Sequence, residues 1–286
     1  MLLTLSFATA AVIEAPFTQL ASGQVVVVLD IGTTEAPFIV DTGASVTVIT
    51  PKLWAAAGNT PDEGARIGGA GAGGELSGAR LVTSPELLLG GAALSVGYAV
   101  VMDLETGEEM PNVGGILGLD VLRAYVAEFD FSTHVVRLYG KEDLPPSPTA
   151  WTTTKHLRGG LLGVDLLFGT TPVPAVVDLG ASGTILNTAA AALPGVTARE
   201  GCAAHAFGAD ENALTLSCAA VDKLSVASRD FGAGDVTVND LPVFTTLRMG
   251  KKHGKPAPAA VLGVDRLGQG TFVVDAAGRR VGWIDP

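Results

Sequence analysis

At 286 residues the chain is long for one hydrophobic core and sufficient for two. With 48% apolar and 16% charged residues it is not a disordered chain, and a net charge of -11 argues against nucleic-acid or anionic-membrane partners. No run of 18 apolar residues offers a membrane-spanning helix.

Thirty-seven glycines and 16 prolines punctuate short apolar runs, the pattern of many short strands and turns. The opening "MLLTLSFATAAVIEA" has the length of a signal-peptide core but no basic residues before it, so it reads equally as a first strand. "QVVVVLDI" is a β-branched strand ending in "GTTEAP", after which "PFIV" runs directly into Asp41. Short helices are expected at "TPKLWAAAG", "LDVLRAYV" and "NTAAAALPG". "VAEFDFSTHVVRLY" and "TFVVDAAGRRVGWI" read as hairpins turning at "FSTH" and "AAGR".

The chain is written twice. Ile31–Ile49, "IGTTEAPFIVDTGASVTVI", aligns without gaps to Phe168–Leu186, "FGTTPVPAVVDLGASGTIL", with ten of 19 positions identical at an offset of 137. Farther on, "GILGLDVLRAYVAEFDFSTHVVRLY" meets "AVLGVDRLGQGTFVVDAAGRRVGWI" at an offset of 145, so the second copy has a slightly longer middle. Two copies of about 140 residues imply a duplicated lobe, not a solenoid. Three prolines within "GKEDLPPSPTAW" stiffen the segment between them. The expected organisation is a first lobe over 1–143, a linker over 144–151 and a second lobe over 152–286. The expected fold class is all-β and bilobed: two pseudo-symmetric, barrel-like lobes with a few short helices.

Each copy delivers an aspartate to the end of a buried strand, followed at once by a turn glycine: Asp41 with Gly43, Asp178 with Gly180. Glycine there allows backbone angles and close approaches that a side chain would block. If the copies pack about a two-fold axis, the two carboxyls meet, share a proton and titrate as a pair. One is then a base toward water and the other an acid toward a carbonyl oxygen, which is chemistry for peptide hydrolysis without a covalent intermediate.

These residues resemble the aspartic proteases of pepsin and retropepsin type. "VDTGAS" and "VDLGAS", with the later "ILG" and "VLG" ending at Gly118 and Gly263, carry the resemblance in the family's order from about Val25 to Ile284. It implies a monomeric aspartic endopeptidase with Asp41 and Asp178 as the catalytic pair, acting on an extended peptide with no metal or organic cofactor. It implies that Thr42 ties the two turns, that Gly43 and Gly180 accept substrate amides through their carbonyls, and that Gly118 and Gly263 pack behind the turns. A flap is implied over Arg66–Leu81, with Gly71, Ala72 and Gly73 as its substrate-binding residues. Extended substrates satisfy backbone groups by strand addition. The contrasting possibility is a peptide-binding protein that kept the fold.

Three departures bear on this. Leu179 stands where the second motif has a hydroxyl, so half of the inter-lobe tie is missing. Ala44 and Ala181 follow the glycines, as in retropepsins, so a donor present in pepsins is lost and an optimum at mildly acidic pH is expected. The flap has no tyrosine and no basic propeptide precedes the first lobe.

Other features have plainer readings. "GAGAGG" fits a dinucleotide pattern but is followed by a returning strand, not a helix. Ser45 and Ser182 lack a nucleophile elbow and are expected to support the turns by hydrogen bonds. Asp120 and Asp265 are expected to cap the helices that follow them. "RMGKKHGKP" is a solvated basic loop or a docking patch for acidic peptides. Cys202 and Cys218 are either bridged within one hairpin, in an oxidising compartment, or two buried thiols. Secretion fits the start and the cysteines; neither requires it.

Overall fold

The computed structural model describes residues 12–60, 64–70, 75–76, 78–104, 112–145, 147–207 and 213–285. Three main sheets account for the fold: one of ten strands from the first half, one of eight from the second, and one of six to which both halves contribute.

The first-half sheet is built on the antiparallel pair Val25–Ile31 and Thr34–Val40. Apolar residues alternate inward along both, with Val27, Leu29, Ile31 and Phe38 buried and Val28 left exposed. The second-half pair, Leu162–Phe168 and Thr171–Val177, repeats this arrangement. A continuous apolar core runs through both halves, with Phe38, Phe129 and Phe272 among its largest fully buried side chains.

The expected hairpins form at Val126–Asp130 with Val135–Tyr139, and at Thr271–Asp275 with Arg280–Ile284. They join each other: Val126–Asp130 pairs antiparallel with Thr271–Asp275, placing Phe129 opposite Phe272. Ile13–Pro16 and Trp151–Thr153 close the two edges of this six-stranded sheet. Glu128 is buried within it and fully satisfied, accepting from Arg137 at 2.7 Å and from the Tyr139 hydroxyl at 2.9 Å.

Helices are short, as expected. Thr50 caps Pro51–Ala56 through a bond from the Leu53 N–H, and Asn187 caps Thr188–Ala191 through one from the Ala190 N–H. A further helix, Pro242–Thr246, lies in the longer middle of the second copy. That middle also holds Val196–Phe207, Ala213–Val226 and Arg229–Val238, the longest strands of the chain among the described residues. Their order in the sheet, next to Ile185–Leu186, repeats the order of Tyr98–Val101, Arg80–Thr83 and Ala65–Arg66 next to Val48–Ile49. The hairpin Val196–Phe207 with Ala213–Val226 therefore occupies, in the second half, the place of the expected flap in the first. Cys218 is disulfide-bonded there, opposite Arg199 and beside a register shift between Arg199 and Ala203. The backbone at Cys202 lies within that bulge; its side chain is outside the described residues. No helix among the described residues is long and apolar enough to cross a membrane.

Candidate active site

Both Asp-x-Gly turns are made by the same strand arrangement. Thr34–Val40 runs parallel to Gly115–Leu117, which pairs antiparallel with Val48–Ile49. The chain leaves one strand, turns, and re-enters the sheet on the far side of the intervening strand. Thr171–Val177, Ala260–Leu262 and Ile185–Leu186 do the same in the second half. Each turn is thereby projected from a sheet that holds its two ends. The Asp41 N–H donates to the Leu117 carbonyl and the Asp178 N–H to the Leu262 carbonyl, both at 3.0 Å.

The two turns face each other. A Cβ built on Gly43 would lie 2.5 Å from the Asp178 carboxyl carbon, and one built on Gly180 would lie 2.7 Å from both Asp41 carboxyl oxygens. Any side chain at either glycine would displace the opposite aspartate, which is why both positions need glycine. The two carboxyls are near enough to influence each other's titration.

Both carboxyls are half-buried, and their partial loss of water is the largest influence on each and pushes both upward. For Asp41, which is held well above the usual carboxylate range, the Asp178 charge and hydrogen bond add to that effect, against donors at Gly43 and Ala44. Asp178 is opposed by more donors. Its Oδ1 accepts from the Gly180 N–H at 2.8 Å and the Ala181 N–H at 3.1 Å, and Gly43 and Asp41 also contribute. The two carboxyls therefore titrate as one pair, both displaced upward.

Thr42 is fully buried and ties the first turn to the second through one hydroxyl. Its hydroxyl donates to the Val177 carbonyl at 2.9 Å and accepts from the Leu179 N–H at 3.0 Å. Leu179 is equally buried and supplies packing where a second hydroxyl was looked for. Gly118 and Gly263 pass directly behind the turns. A Cβ on Gly118 would lie 2.7 Å from the Val46 carbonyl carbon, and one on Gly263 2.9 Å from the Ala181 carbonyl oxygen.

Two expectations need correction. Asp120 and Asp265 do not cap the following helices, whose N-caps are Gly118 and Gly263 without side-chain bonds. They reach back instead: Thr47 donates to Asp120 and Thr184 to Asp265, both at 2.8 Å. The same threonines accept from the Gly118 and Gly263 N–H groups, at 3.2 and 3.3 Å. Ser45 and Ser182 do not hydrogen-bond through their side chains among the described residues. Backbone N–H groups already satisfy the carboxylates, and the Ser45 Oγ packs beside Gly159.

The flap segment includes an antiparallel pair, Gly69–Ala70 with Glu75–Leu76. Gly71, Ala72 and Gly73 lie outside the described residues. Gln24, which no sequence motif marks, donates from Nε2 to the Gly180 carbonyl at 2.6 Å. Its one sequence signal is that "LASGQ" and "LRGGL", at Leu20 and Leu157, share the offset of the two Asp-x-Gly turns.

The structure is thus a duplicated β fold in which two Asp-x-Gly turns face each other. Comparison with known proteins agrees on the fold. Residues 25–121, covering the first turn and its supporting glycine, match a family model described as aspartyl protease. An aspartic proteinase from Irpex lacteus is similar in structure over 95% of this chain and 96% of its own, with a TM-score of 0.58 at 15% sequence identity. No curated protein sequence matches the chain.

Proposed function

We propose that the chain is a monomeric aspartic endopeptidase in which Asp178 activates water and Asp41 protonates the scissile carbonyl. The supporting observation is the reciprocal facing of Gly43 against Asp178 and Gly180 against Asp41, which leaves the two carboxyls sharing one site. Water between them gives a proton to Asp178 as its oxygen bonds to the carbonyl carbon, while Asp41 passes its proton to the carbonyl oxygen. The resulting gem-diol collapses when Asp178 returns its proton to the amide nitrogen. The C–N bond then breaks, and a diol proton goes back to Asp41. No side chain bonds covalently to the substrate. The Gly43 carbonyl, and the lone pair of the Gly180 carbonyl that Gln24 leaves open, meet the backbone of an extended peptide, and the glycine-rich hairpin of the first half covers it.

Casein digestion between pH 3 and 7 tests the reading. Wild type is expected to cleave, with its maximum in the mildly acidic part of that range, and pepstatin to inhibit it. Asp41→Asn and Asp178→Asn are each expected to lose at least about 1,000-fold in kcat, since neither half-site works without its partner. Absence of wild-type cleavage, with retained peptide binding, would identify a binding protein instead.

A further inference from the structure

Each half begins its first long strand from the same tight turn. In Leu20–Gln24 the Gly23 N–H donates to the Leu20 carbonyl at 2.8 Å and the Leu20 N–H to the Gln24 carbonyl at 3.0 Å. In Leu157–Leu161 the corresponding bonds measure 3.0 and 2.9 Å. Each turn lies against the opposite half. A Cβ on Gly23, where φ is +92°, would lie 2.9 Å from Val264 Cγ1, and Gly160 meets the Arg123 guanidinium, which donates to its carbonyl. The turns differ at their last position. The second half has Leu161, buried and without a donor; the first has Gln24.

We propose that Gln24 is a positioning residue for Asp178, holding the second catalytic turn from across the lobe boundary where Leu179 supplies no hydroxyl. The Ser22 Oγ–Gln24 Oε1 bond, 2.8 Å, fixes which end of the amide faces Gly180. Nε2 then holds the Gly180 carbonyl at 2.6 Å. That carbonyl shares a planar trans peptide with the Ala181 N–H, so fixing one aims the other in the opposite direction. The Ala181 N–H is one of the donors on Asp178 Oδ1. Thr42 holds Val177 and Leu179, and Gln24 holds Gly180, so three points around Asp178 are fixed by the first half. Gln24 therefore touches no reacting atom and acts through one peptide plane.

The inference rests on the dyad reading for its effect on rate, but its effect on Asp178 can be read without turnover. The described titratable group interacting with Asp178 is Asp41. Carboxyl-13C NMR of aspartate-labelled protein would follow the pair through a pH titration in wild type, Gln24→Leu, and Gln24→Leu with Leu179→Thr. Gln24→Leu copies the residue of the second half. It weakens the Ala181 donor, so the lower apparent pKa of the pair is expected to rise by about half to one pH unit. In peptide hydrolysis the acidic limb of the kcat profile should rise with it, and kcat at pH 5 should fall about three- to tenfold with KM within about twofold. Leu179→Thr should recover most of both effects in the Gln24→Leu chain. A folded Gln24→Leu protein whose pair titrates as in wild type would overturn the inference. So would a titration shift that Leu179→Thr does not reduce. Should Gln24→Leu fail to fold, Ser22→Ala releases the amide alone; a smaller shift in the same direction is expected, and no shift overturns the proposal. A normal wild-type titration without peptide cleavage would count against the peptidase reading and leave the Gln24 comparison fully readable.

Discussion

Asp41 and Asp178 are expensive residues to fold around. Their ordinary value is 3.8; burial holds both above it, and at Asp41 the Asp178 charge and hydrogen bond add to that effect. A carboxyl whose folded pKa is raised favours the native state only while protonated. Stability is therefore lost as pH rises from below 3.8 through the raised value. Asp41→Asn removes one of the two charges while keeping the size of the side chain. Thermal unfolding should show it more stable than wild type at pH 7, by about 2–6 °C, and indistinguishable at pH 3, where both aspartates are protonated. Equal stability at both pH values would mean that the carboxyls are not forced together in solution. At this scale the sequence was informative about the aspartates and glycines, because each appears twice with the same neighbours. It was silent about Gln24, whose partner Gly180 is 156 positions away and whose counterpart in the other copy is a leucine. It misled about Asp120 and Asp265. An acid after a glycine at the start of a helix fits a cap on local grounds, but buried Thr47 and Thr184 offered these acids stronger partners.

Among the elements, the three-strand unit behind each turn carries most of the geometry. Thr184, buried beneath the second turn, donates to Asp265 and accepts from the Gly263 N–H. Thr184→Val keeps the shape but leaves the buried Gly263 N–H and the half-buried Asp265 carboxyl without this partner, a cost of about 1–3 kcal/mol. Urea unfolding should show that loss. It should be largely absent when Asp265→Leu is added, because removing both partners of a buried polar contact is milder than removing one. Thr47 and Asp120 form the same bonds beneath the first turn and should respond alike. The hairpins late in each copy and the capped helices after Thr50 and Asn187 were legible, since turn and cap chemistry is local. The pairing of the two hairpins with each other was not: Phe129 and Phe272 satisfy the same alternation whichever strand they face. Nor did the three long strands of the second half stand out, because "VTAREGCAAHAF" and its neighbours mix alanine and polar residues without a strong two-residue period.

The six-stranded sheet makes one molecule of the two copies. Val135–Tyr139 lies near one edge and Trp151–Thr153 forms the other, so the proline-rich segment crosses the breadth of the sheet. Four strand spacings are about 19 Å, within the reach of an extended linker of this length at about 3 Å per residue. This route keeps both half-sites in a single polypeptide. It also makes the whole-molecule claim directly measurable. Calorimetric titration of the purified protein with pepstatin at mildly acidic pH should give one inhibitor per chain. Binding should be lost in Asp41→Asn and in Asp178→Asn alike. One inhibitor per two chains would put the site between molecules, and binding that survives either substitution would show that the two aspartates do not share one site.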